Sequence, residues 1–73
     1  MDQTEATRLM EQRQRELADG GHMVGLLTFQ YRPEGFFTVV YSGARRHRQA
    51  TLAPEEMASD RWREILESRL GLG

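Results

Sequence analysis

Arg45, Arg46 and Arg48 stand in one four-residue run with His47, the densest patch of like charge in the chain. Guanidinium groups pair in a forked geometry with carboxylates and phosphates. The run could therefore contact an acidic protein surface or a phosphate backbone. Used on phosphates, three arginines give a salt slope of only about −2.7, which means weak binding. No aromatic residue interleaves them, as a single-strand stacking platform requires. An acidic protein partner thus ranks above nucleic acid. The plainest alternative is a solvated connection whose arginines pair with Glu55, Glu56 or a neighbouring chain.

Other chemistry is scarce. His22 and His47 would approach one another if a strand ladder carried His22 opposite Arg46, with Asp19 near. Two histidines and a carboxylate can hold zinc, but three adjacent arginines oppose a dication, so no metal site is assigned. The chain has no cysteine, hence no thiolate and no disulfide. Ser42, Ser59 and Ser68 lack any evident His–acid partner, and there is no nucleophile elbow. Without a single lysine, a Walker-type phosphate loop is excluded. Glu55 and Glu56 read as charge placed at a helix start. No catalytic residue and no cofactor is assigned, and the chain is expected not to be an enzyme.

Length sets the frame for whatever does act. The chain has 73 residues, room for a single domain over 1–73 with a thin core. Hydrophobic residues make up 38% and charged residues 29%, the balance of a globular chain rather than a disordered one. The net charge is −1 and the isoelectric point about 6.1, far from a generally basic nucleic-acid binder. All ten basic side chains are arginine. A GC-rich genome explains that most simply and points to a bacterial or phage source. No signal peptide and no apolar run near the ~20 residues of a membrane span is visible. A cytoplasmic protein without membrane contact is expected.

Four elements are predicted to carry these residues. Ala6, Leu9, Met10, Arg13 and Leu17 recur at helical spacing, and Asp2 with Glu5 supplies a start signal, so a helix spans about 3–18. Strands are expected at about 23–32 and 36–42, joined by Arg32-Pro33-Glu34-Gly35. Proline fixes the first corner and glycine allows positive φ at the last, which suits a three-residue loop. That loop sets the register: Tyr31 opposite Phe37, Phe29 opposite Val39, Leu27 opposite Tyr41. The hydrophobic pattern independently agrees, since these six side chains then share one face. An irregular basic connection follows at 43–53. A helix spans about 54–70, with Pro54 at its start, a short turn allowed at 54–58, and Met57, Trp62, Ile65, Leu66 and Leu70 on its inner stripe.

The expected fold is a small two-layer α+β unit in the order α-β-β-α, a hairpin packed on two amphipathic helices. In element order, though in no residue motif, it resembles small phage head–tail joining proteins. A two-stranded sheet is marginal alone, so a homodimer is expected. The second sheet face (Val24, Leu26, Phe36, Val40) and the lone tryptophan, Trp62, are its candidate interface residues. The function expected is non-catalytic protein binding, as of a regulator or inhibitor encoded by a phage or mobile element. A structural subunit of a phage-type assembly and a weak nucleic-acid binder are the alternatives.

Overall fold

The computed structural model describes residues 1–20, 26–43 and 45–71. The chain runs α1 (Gln3–Gly20), β1 (Leu26–Tyr31), β2 (Phe37–Ser42), β3 (His47–Leu52), α2 (Pro54–Met57) and α3 (Trp62–Leu70). The three strands form one antiparallel sheet in the order β1-β2-β3. The α+β class and the hairpin stand as expected.

The hairpin forms in the register its turn dictates: Tyr31 pairs with Phe37, Phe29 with Val39 and Leu27 with Tyr41. The Arg32 N–H donates to the Phe36 carbonyl at 2.7 Å, and Gly35 has φ +96°. A side chain is strained at that angle, so glycine closes the loop.

The connection expected to be irregular at 43–53 contributes the third strand. Gly43 donates its N–H to the Arg46 carbonyl at 2.8 Å, folding the chain back after β2. Val39 then pairs with Ala50 and Phe37 with Leu52. Ala50 and Leu52 point inward between the exposed Gln49 and Thr51, a period-two pattern. Only Thr51 in β3 is a strong strand former, so pairing with the central strand decides its conformation. The order is therefore α-β-β-β-α-α, and the likeness based on an α-β-β-α order loses its footing. The ladder carrying His22 toward Arg46 also ends here, because Arg46 pairs with Gly43; His22 itself lies outside the described residues.

One face of the sheet carries the core. Phe37, Val39, Ala50 and Leu52 pack with Ala6 of α1, Met57 of α2, and Trp62, Leu66 and Leu70 of α3. Leu9, Met10, Leu17, Leu27, Phe29, Tyr31, Tyr41 and Ile65 close around them. The Asp2 carboxylate caps α1 by accepting the Glu5 N–H at 2.8 Å. The chain breaks at 58–61 between α2 and α3, as the allowed short turn anticipates. Gly71, at φ +73°, closes α3 in the left-handed conformation.

Three arginines are built into this frame. Arg13 lies on the inner stripe of α1 and is only 8% exposed. Its Nε–H donates to the Met57 carbonyl at 3.0 Å, at the end of α2, and its Nη1 pairs with the Glu16 carboxylate at 2.7 Å. Its guanidinium carbon sits 5.0 Å from the Trp62 ring centroid, within cation–π range. Arg63 donates to the Glu16 carbonyl at 3.1 Å and lies 5.5 Å from the same ring. Arg69 donates to the Thr51 carbonyl at 2.8 Å and forms a two-pronged pair with Glu56. Arg13 and Arg69 each use several donors of a planar fork, which a lysine cannot supply.

The Glu56–Arg69 pair makes stability depend on pH. Hydrogen bonding from Arg69, and secondarily the Ala53 N–H, holds the Glu56 carboxyl below its ordinary value of 4.5. A depressed folded-state value adds stability above the unfolded value, and that stability is lost as pH falls through the folded one. Acid titration of the denaturation midpoint should show a decline below about pH 4.5, and Glu56→Gln should remove part of that slope. An unchanged slope in the variant would leave the pair without a measurable role.

Candidate functional site

Arg45, Arg46 and Arg48 sit at the tip where β2 turns into β3. All three are exposed, and none has a carboxylate within 4 Å among the described residues. Arg45 lies in the turn, Arg46 closes it, and Arg48 pairs with Tyr41 across the strands. Strand alternation puts Arg48 on the core side and His47 on the opposite side. His47 Nδ1 lies 3.5 Å from Ser42 Oγ, at the limit of hydrogen bonding. The ring of Tyr41 folds over Gly43, so close that a Cβ there would lie 2.9 Å from it. The tip therefore holds an aromatic ring that the linear sequence separates from the arginines.

The acids that could have neutralised this tip are placed elsewhere. Glu56 is committed to Arg69 and to the Ala53 N–H at the far end of β3. Six residues of strand, roughly 20 Å, separate the two ends. Glu55 is exposed in α2, at that same far end.

The remaining candidates separate. Trp62 is 4% exposed and belongs to the core. Phe36 and Val40 are half-buried on the second sheet side. Val24 lies outside the described residues, as does the side chain of Leu26. Around Val40, this side presents the exposed Thr28, Gln30, Gln49 and Thr51, while Thr38 on the central strand is buried. β3 thus gives the expected apolar surface two polar members, and Met1 is the one exposed large hydrophobic residue among the described residues. The strand aromatics Phe29, Tyr31 and Phe37 face the core side, which leaves the half-buried Phe36, ahead of β2, as the aromatic on the open side among the described residues.

Surface clefts are shallow and charged. One of about 400 Å³ lies along α1 between Arg8, Gln12, Arg15, Glu16 and Asp19. No group of three His, Asp or Glu side chains that could hold a metal occurs among the described residues. No helix among them is long and apolar enough to cross a membrane. Comparison with protein-family models, with curated proteins and with solved structures returns no match.

Proposed function

We propose that the chain is a small non-catalytic binding protein that engages an acidic protein surface through Arg45, Arg46 and Arg48. The supporting observation is the division of labour among the arginines. Arg13, Arg63 and Arg69 are spent on backbone carbonyls and carboxylates of their own chain. The tip arginines remain exposed, on a chain whose net charge is −1. Concentrated charge of one sign on a nearly neutral molecule steers a complementary surface into a fixed orientation. Carboxylates suit this tip better than a nucleic-acid backbone, because three phosphate contacts supply little affinity. The protein acts as a homodimer, which enlarges a core that is thin in one copy.

The test is affinity capture from nuclease-treated native-host extract, comparing the wild type with a triple Arg45→Ala, Arg46→Ala, Arg48→Ala variant. Acidic proteins retained by the wild type should fall at least about tenfold with the variant, whose stability should stay within ~0.5 kcal/mol. Equal retention by both proteins overturns the role of the tip. A low-salt gel shift with duplex DNA lost only in the variant would favour phosphate instead.

A further inference from the structure

The two edges of the sheet are finished differently. In an antiparallel ladder, alternate residues turn their N–H and C=O toward the neighbouring strand and the rest turn theirs away. The Arg32–Phe36 bond fixes this phase for β1: Leu27, Phe29 and Tyr31 turn their backbone groups outward. The Gly43–Arg46 bond fixes it for β3, where His47, Gln49 and Thr51 face out. On β3 the fold closes the end of that edge. Arg69 takes the Thr51 carbonyl and Glu56 takes the Ala53 N–H. Charged side chains in such positions keep a foreign strand from adding. β1 has nothing of the kind. It reads Leu-Leu-Thr-Phe-Gln-Tyr, with no charge and no proline, and no hydrogen bond to its outward backbone groups occurs among the described residues.

We infer that β1 pairs antiparallel with β1 of a second copy, around a two-fold axis at Phe29, giving a six-stranded sheet. The occupant is read from the strand itself. Over residues 27–31 its polarity is palindromic about Phe29: Leu27 and Tyr31 are apolar, Thr28 and Gln30 polar, and Leu26 falls opposite Arg32 at the end of the seam. A two-fold interface must be self-complementary, and this register meets that demand. It sets Leu27 against Tyr31 of the second copy, and Phe29 against its own counterpart, all on the core side. Thr28 meets Gln30 of the second copy on the open side. Leu27, Phe29 and Tyr31 are half-buried in one copy and would be covered in two. The pairing would make roughly six backbone hydrogen bonds. A two-fold perpendicular to the sheet keeps both sets of helices on one side and continues the core across the seam.

This assignment rests on the homodimer reading and adds the edge and the register. Sedimentation equilibrium over a concentration series tests it with two double variants of exposed residues. Thr28→Lys with Gln30→Lys places like charges opposite one another at both ends of the seam, at a spacing near 5 Å. The dimer dissociation constant should rise at least tenfold, with an unchanged far-ultraviolet spectrum. Thr28→Lys with Gln30→Glu places opposite charges there and should dimerise within a few-fold of the wild type. Amide exchange at Leu27, Phe29 and Tyr31 should slow as dimer forms, while that at His47 and Gln49 should not. A wild type that stays monomeric at millimolar concentration overturns both readings, and a foreign extended strand then becomes the occupant of this edge. A dimer that survives the two lysines, or that leaves the β1 amides exchanging freely, keeps the homodimer and overturns the β1 seam.

Discussion

Replacing Phe37 by alanine should cost about 3–5 kcal/mol, and replacing its neighbour Phe36 about 1 kcal/mol or less. The two rings are adjacent in sequence and differ only in the side of the strand they take. Phe37 is fully buried on the central strand. It pairs with Tyr31 on one side, at a ring separation of 4.9 Å, and with Leu52 on the other. Its removal leaves a cavity bounded by both neighbouring strands and the helices, with little freedom to collapse. Phe36 precedes the strand and is half-buried. A domain of this length has a total stability of about 4–11 kcal/mol, so the first variant should lose a large fraction of it and the second only a small one. Urea denaturation followed by tryptophan fluorescence reads both, since Trp62 lies in the same core. Similar costs for the two would mean that the register is misassigned.

Arg13→Ala should cost about 2–4 kcal/mol, against ~0.5 or less for Arg15→Ala on the exposed face of the same helix. The Arg13 guanidinium satisfies the Met57 carbonyl, pairs with Glu16 and covers the face of Trp62. Its loss strands a carbonyl near the core and opens space beside an indole. Hydrogen bonds from a charged donor contribute about 1.5–3 kcal/mol each, so these losses account for the total without invoking a buried, unpaired Glu16. Glu16 is partly exposed and would be solvated. Arg13→Lys should recover less than half of the stability, because one ammonium cannot span the same partners. Full recovery by lysine would show that only charge matters there. The same equilibrium denaturation experiment distinguishes the outcomes.

The hairpin was legible because two local rules point the same way. Pro33 and Gly35 dictate the loop, and alternation from Leu27 to Tyr41 dictates the faces. Either rule alone leaves a slip of one residue open. The helices were legible from their spacing and from Asp2, Pro54 and Gly71, which act within a turn or two of chain. β3 was not, because His47, Arg48, Gln49 and Ala50 have little preference for an extended chain. The Ala50–Leu52 alternation was the available signal, and it is too short to stand without a partner. The inner stripe that included Arg13 was also legible, but the carbonyl that justifies a charge there belongs to a residue 44 positions away.

The arginine run is plain in the sequence, and its freedom from carboxylates is not. Glu55 and Glu56 looked close enough along the chain to neutralise it. β3 holds them at its opposite end, and Arg69 claims Glu56. The sequence determined the helices, the hairpin and the pairing of its aromatic face, since each depends on neighbours a few residues apart. Only the tertiary structure decided which arginines are consumed, which sheet side is polar and which edge is left open. Those outcomes depend on which distant groups arrive at the same place, and periodicity along a chain carries no record of that.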